Sequence, residues 1–201
     1  MKRITTVVLA GGQSKRMGKD KAFLEWNGKS FLQHILEQVD TFSSQIIISG
    51  NKEKDLYLKE AKHIKNKPVV VKDIDPYSGP LNGIVSCYEF IKNETVFIAT
   101  CDTPVIKEDV VYFFLENIGD FQGIVPTING KFQPLNTIYK KEAIKNAKVL
   151  YKKGVKSLFR WIKDINVKYI NESQLKIYDP ELLMFKSINT PSDYLEFLKD
   201  V

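Results

Sequence analysis

Residues 7–24 read "VVLAGGQSKRMGKDKAFL": an apolar run ends on two glycines and is followed at once by Lys15, Arg16, Lys19 and Lys21. Gly11 and Gly12 let the backbone approach a ligand closely and turn its N–H groups toward an anion. Arg16 offers a planar fork for phosphate oxygens, and Lys21 a compact point charge. A glycine turn with cations is what a triphosphate needs. The spacing G-G-x-S-x-R-M-G-x-D-K is not the Walker pattern. Nor is it the dinucleotide fingerprint, whose second and third glycines are missing. Two further loops carry acids, "KDIDPYSGPLNG" with Asp73 and Asp75 and "TCDTP" with Asp102. For Asp73 and Asp75 ordinary loop chemistry is an alternative, and for Asp102 a turn carboxylate before Pro104.

These loops follow strand-like stretches: 4–9, 45–49, 68–71, 95–99, 123–126 and 135–139. Helical periodicity lies between them. Phe31, Ile35 and Val39 share a face with Leu32 and Leu36, and Ser30 is placed to cap that helix. Leu81, Ile84, Val85 and Tyr88 repeat the pattern, as do Val110, Phe113, Phe114 and Ile118. Such alternation predicts an α/β fold, a Rossmann-like three-layer sandwich around a mostly parallel sheet. Beyond Lys152, "GVKSLFRWI" reads as a short helix, and "INVKYI" and "LLMFKSI" as strands. "TPSDYLEFLKD" reads as a closing helix capped by Thr190, with Pro191 in its first turn. In such sheets ligands sit beyond the carboxyl ends of the strands, so the three loops should ring one crevice.

The 201 residues suit one domain spanning 1–201, and 43% hydrophobic with 27% charged residues is a globular balance. No apolar run approaches the roughly 18 residues of a membrane span, and "MKRITTVVLAGG" lacks a signal-peptide pattern, so no membrane partner is expected. With Cys87 and Cys101 the only cysteines, and His34 and His63 the only histidines, a disulfide framework or zinc site is not expected. A cytoplasmic enzyme or binding protein fits. The formal charge of +6 would attract phosphate backbones, but the lysines are scattered among acids, so a nucleic-acid partner is not the expectation. The densest run, "KHIKNKP", reads as a cationic helix end before Pro68.

The signature "LAGGQSKRMGKDKAFL" resembles that of the molybdenum cofactor guanylyltransferase family. "NGKSFLQHI", "DIDPYSGPLNGI", "ATCDTPVI" and "INTPSDY" follow in the family's order, so the likeness covers nearly the whole chain. The resemblance implies a nucleotide-diphospho-sugar transferase-like fold with an antiparallel strand late in the chain. It also implies GTP bound by Leu9, Ala10, Gly11, Gly12, Lys21, Asp73 and Asp102, with magnesium held by Asp102. A polar side chain after the second strand completes the set, for which Ser49 and Asn51 both compete. Asn189 matches a position near the acceptor, and its alternative is a plain loop residue before Thr190. Where family members carry His-Pro, this chain has Gln133, an amide that cannot titrate near neutrality. Related cytidylyl-transferring enzymes tend to read A-A-G where this chain has Ala10-Gly11-Gly12, which predicts room for a purine against Gly11.

The implied reaction moves GMP from GTP to the terminal phosphate of molybdopterin and releases pyrophosphate. Lys21, Asp102 and Arg16 would stabilise the charge, and molybdoenzyme apoproteins or their chaperones would be partners. Rival readings are a CTP-dependent molybdopterin cytidylyltransferase, a sugar- or alditol-phosphate nucleotidyltransferase of the same fold, and a non-catalytic nucleotide- or nucleic-acid-binding module.

Overall fold

The computed structural model describes residues 4–13 and 17–200. Its strands are β1 (Ile4–Leu9), β2 (Glu25–Trp26), β3 (Lys29–Ser30), β4 (Gln45–Gly50), β5 (Val69–Lys72), β6 (Thr95–Thr100), β7 (Gly123–Ile128), β8 (Lys131–Phe132), β9 (Thr137–Lys140) and β10 (Val167–Asn171). Its helices are α1 (Phe31–Asp40), α2 (Lys54–Glu60), α3 (Pro80–Ser86), α4 (Glu108–Asn117), α5 (Lys141–Lys152), α6 (Leu158–Ile162), α7 (Glu172–Leu175) and α8 (Pro191–Asp200).

The main sheet runs β10-β7-β9-β6-β1-β4-β5, with β8 paired to β7. Only β9 and β8 oppose the common direction, so the sheet is mostly parallel with a late antiparallel strand, as expected. Side chains alternate across each strand. Ile4, Val8 and Ala10 join the core under α1, α2, α4 and α7, while Val7 joins the one under α3, α5 and α6. Both faces are covered, which is why β1, β4 and β6 read as near-continuous apolar runs.

The expected caps are present. Ser30 accepts from Gln33 N at 3.0 Å. Thr190 Oγ1 accepts from Asp193 N at 3.2 Å, while Asp193 Oδ2 accepts from Thr190 N at 2.8 Å. These reciprocal bonds satisfy donors at the start of α8. The stretch "GVKSLFRWI" carries α6, and "INVKYI" carries β10, paired parallel to β7.

Two expectations need correction. "LLMFKSI" is not a strand but a short 3-10 turn at Leu183–Phe185, entered through Leu182 at φ 52. Its apolar residues are consecutive rather than alternating, and Met184 N is drawn to Asp179 Oδ2 at 2.9 Å. The cationic run before Pro68 is loop, because α2 stops at Glu60. Lys67 Nζ nonetheless donates to Lys62 O at 2.9 Å and Ala61 O at 3.3 Å, the helix-end carbonyls that cations favour.

Two hairpins escaped the sequence reading. β2–β3 turns on Asn27 and Gly28, and β7–β8 on Asn129 and Gly130, all four with positive φ. Asn-Gly is the usual signal for such two-residue turns. The first hairpin packs with α8 around Phe31 and Phe197, fixing the chain that leads from Lys21 into α1. Among the described residues no helix is long and apolar enough to cross a membrane.

Candidate active site

The chain winds from β1 outward through β4 to β5, then returns over the other face through α3 to β6, beside β1. At this reversal a crevice of about 510 Å³ opens beyond the carboxyl ends of the strands. Leu9, Ala10, Gly11, Gly12, Lys21, Ser49, Asp73, Asp102 and Asn189 all line it. The turn after β1 is held from both sides, by Ala10 N to Ser49 O at 2.7 Å and Cys101 N to Leu9 O at 3.2 Å.

The β4–β5 side is a closed network of polar side chains. Asp73 is 8% exposed. Its Oδ1 accepts from Ser49 Oγ at 2.5 Å, and its Oδ2 from Asn51 Nδ2 at 2.8 Å. Asn51 Nδ2 also donates to Gly11 O at 3.0 Å. Both Ser49 and Asn51 therefore reach Asp73. The side-chain oxygen Asn51 Oδ1 is buried without a hydrogen-bond partner among the described residues.

Gly11 explains how these groups fit together. A Cβ there would come within 2.5 Å of Asp73 Oδ2 and 2.7 Å of Asn51 Nδ2. Its φ lies outside the left-handed region, so close approach and not backbone conformation calls for glycine. The expectation that the missing methyl makes room directly for a base is thus corrected: the room is taken by Asp73 and Asn51. At Gly12 nothing lies within 4 Å of such a Cβ.

Behind this wall the buried Tyr57 hydroxyl accepts from Asn51 N at 3.1 Å and Lys52 N at 3.2 Å. Gly50 permits it, since a side chain there would collide with the ring. Burial pushes the Tyr57 pKa above its usual value.

The β6 side is ionic and more open. Lys21 begins a 3-10 turn whose Ala22 N donates to Asp20 Oδ1 at 3.0 Å. Lys21 Nζ donates to Asn189 Oδ1 at 2.8 Å and stands 4.0 Å from Asp102 Oδ2, the two charged side chains being 17% and 28% exposed. Thr100 Oγ1 donates to Asp102 Oδ1 at 3.0 Å.

The Asp102 loop is anchored from behind by Asn136, a residue the sequence reading missed. Asn136 is 2% exposed with φ 53. Its Oδ1 accepts from Thr100 N at 3.2 Å, and its Nδ2 donates to Thr103 Oγ1 and to Met184 O. Ile188 N adds a bond to Asp102 O at 2.7 Å, which brings Asn189 to the crevice rim. The only advance signal was an Asn in a turn-like "PLN", since its partners come from two distant segments.

The remaining candidates separate. Asp75 lines neither crevice, and its Oδ2 accepts from the Tyr151 hydroxyl at 2.6 Å; burial, and then this bond, push the Tyr151 pKa up to about 12. Gln133 also lines neither crevice, and its backbone N–H donates to Pro126 O at 2.8 Å. Burial raises the thiol pKa of Cys87 and Cys101, as expected of small core residues. Arg16 and Lys15 lie outside the described residues. A second crevice of about 440 Å³ shares Ala10–Gln13, Asp20 and Tyr77 with the first and adds Asn51, Lys52 and Tyr57.

Among the described residues no three His, Cys, Asp or Glu side chains cluster as a metal cage. Asp102 by itself suits a hard cation such as magnesium, which keeps several waters and takes one or two carboxylates plus substrate phosphates. The partly exposed Asp102 carboxylate, with Lys21 nearby for a phosphate, has that donor chemistry.

A family profile described as MobA-like NTP transferase domain matches residues 6–167. The chain belongs to this nucleotidyltransferase family. A Carboxydothermus hydrogenoformans protein named "Probable molybdenum cofactor guanylyltransferase" is 31% identical over 204 aligned residues, covering 99% of this chain and 97% of that protein. A Bacillus cereus protein of the same name is 29% identical, covering 100% and 98%. Among solved structures, the molybdopterin-guanine dinucleotide biosynthesis protein A of Archaeoglobus fulgidus superposes with a TM-score of 0.81 at 21% identity, over 98% of this chain and 97% of that one. The 4-diphosphocytidyl-2C-methyl-D-erythritol synthase of Anaerococcus prevotii shares the fold with a TM-score of 0.76 at 14% identity, over 99% and 96%. The MobA-like match ends before the segment that carries Asn189.

Proposed function

We propose that this chain transfers GMP from GTP to the terminal phosphate of molybdopterin, releasing pyrophosphate and forming the guanine dinucleotide form of the cofactor. The observation that carries this reading is the Lys21–Asp102 pair, 4.0 Å apart on one wall of a crevice at the winding reversal. The names borne by the Bacillus, Carboxydothermus and Archaeoglobus relatives support the choice of substrates.

In this reading Leu9, Ala10, Gly11, Gly12, Asn51 and Asp73 hold the nucleotide. Asp102 would hold magnesium, which supplies positive charge against the phosphate oxygens. The acceptor phosphate is already anionic, so it attacks the α-phosphorus in line without a protein nucleophile. The chain's own work is to bring two polyanions together and hold them in register. Lys21, with Arg16, neutralises the charge that grows on the leaving pyrophosphate. Asn189, at the rim beside Lys21, contacts the acceptor. One domain spanning residues 1–201 carries the activity in the cytoplasm and hands its product to molybdoenzyme apoproteins or their chaperones.

The test is incubation with molybdopterin, magnesium and each of four nucleoside triphosphates, scoring pyrophosphate release. Release with GTP alone is the expected result. Release with CTP instead would make the chain a cytidylyltransferase. No acceptor-dependent release with any of the four would sink the reading.

A further inference from the structure

Tyr77 lines both crevices, is 52% exposed and holds φ 64, a conformation that bulky residues rarely adopt. Among the described residues the other non-glycine positions with positive φ are three asparagines, which tolerate it, and Leu182, whose side chain packs against the core. Tyr77 belongs to no core cluster, and its ring and hydroxyl make no ring contact or hydrogen bond among the described residues. Among the described residues no core packing of its own side chain offsets that strain.

The flanking loop imposes the conformation. Asp73 is tied to Ser49 and Asn51, and Ile74 N donates to Ser86 Oγ at 2.9 Å. Asp75 exchanges two backbone bonds with the buried Asn82 side chain, and Ser78 N closes a turn on Asp75 O at 3.1 Å. Pro76 precedes Tyr77, and Gly79 at φ 92 leads into Pro80. Strained residues held this firmly cluster at ligand sites. The loop keeps a phenol ring with no ring contact or hydrogen bond among the described residues at the junction of the two crevices, which Gly11 and Gly12 also line.

We propose that Tyr77 is a stacking platform for the base of the bound nucleotide and favours the larger purine over a pyrimidine. The proposal rests on the nucleotidyltransferase reading above. Stacking on an aromatic ring suits any base because each has a π-face, and it grows with the area covered. Tyr77 would thus add affinity and a modest size preference, while hydrogen bonds from the Asp73 wall would refine the choice.

Calorimetric titration of the full chain with GTP, CTP and inorganic tripolyphosphate, each with magnesium, tests this in Tyr77→Phe and Tyr77→Gly. Glycine suits the observed φ, so removing the ring adds no backbone strain, and a melting curve checks the fold. Tyr77→Phe should bind GTP within about twofold of the parent. Tyr77→Gly should lose roughly tenfold or more for GTP and less for CTP, with tripolyphosphate unchanged. Unchanged GTP affinity in Tyr77→Gly would overturn the stacking role while leaving the nucleotidyltransferase reading intact. Equal losses for GTP and tripolyphosphate would overturn it too, by assigning the loop to the phosphates. A parent chain that binds tripolyphosphate but no nucleoside triphosphate would overturn both.

Discussion

On the β4–β5 side of the crevice, Asp73 is buried with both carboxylate oxygens hydrogen-bonded, and even the space that a methyl on Gly11 would need is filled. On the β6 side, Lys21 and Asp102 remain partly exposed and 4.0 Å apart. The difference follows from what each wall would handle. A wall that discriminates by hydrogen bonds gains selectivity from rigidity, because a wrong partner leaves buried groups unpaired. A wall that handles phosphates keeps its charges within reach of water and of an incoming ligand, since burying a charge is costly even when it is paired. The β6 wall is still not loose: Asn136 and Ile188 hold its backbone while its charged tips stay open.

The sharpest test of the ionic wall is Asp102→Asn. The swap is nearly isosteric, so melting should match the parent while pyrophosphate release falls roughly a thousandfold. Activity above about a tenth of the parent value would remove Asp102 from its assigned role. Asn136→Ala asks whether that wall depends on its backing. It strips partners from Thr100 N, Thr103 Oγ1 and Met184 O at a left-handed position. Urea unfolding should report a loss of about 2–3 kcal/mol. A loss below about 1 kcal/mol would mean that water replaces the amide.

The packed wall is tested by paired glycine substitutions. Gly11→Ala drives a methyl into Asp73 and Asn51 and should cost about 1–3 kcal/mol in urea unfolding, with GTP and CTP binding weakened alike. Gly12→Ala meets no protein atom within 4 Å and should stay within about 0.5 kcal/mol of the parent in urea unfolding. Equal losses at the two glycines would erase the contrast between them.

The smallest effect concerns Asp193, whose pKa is lowered by hydrogen bonds from Asn189 N and the Thr190 side chain and backbone, and by Lys21 nearby. A depressed folded pKa means that the stabilisation is present above the ordinary Asp value of about 3.9 and is lost as pH falls through the lower folded value. NMR amide shifts of Asn189 and Thr190 should therefore hold steady from about pH 6 to 4 and move only in stronger acid, with Asp193→Asn abolishing that step. A midpoint at or above the ordinary Asp value would contradict the bonding seen at α8.

The strands ending at Leu9 and Thr100, the helix capped by Ser30 and the closing helix capped by Thr190 were legible because strand periodicity and capping are local properties. The late "LLMFKSI" misled because four consecutive apolar residues carry no period, and their 3-10 turn depends on Asp179 and Asn136. The hairpins at Asn27-Gly28 and Asn129-Gly130 carry a local signal in their Asn-Gly pairs, but the two-residue strands β2, β3 and β8 are too short to show a period. In the crevice, the glycine turn, Lys21, Asp73 and Asp102 could be picked out because each follows a strand end.

By itself the sequence determined the α/β alternation, the loops that bear charge and the cationic glycine turn, since all of these depend on residues a few positions apart. Tertiary structure alone decided that Ser49 and Asn51 share Asp73, that Asp75 turns to Tyr151 and that Asn189 meets Lys21 across 168 residues of chain. It also decided that Tyr77 stands half-exposed between two crevices. A hydrogen bond of about 3 Å between distant segments leaves no trace in local spacing, because sheet order and helix packing bring its two ends together.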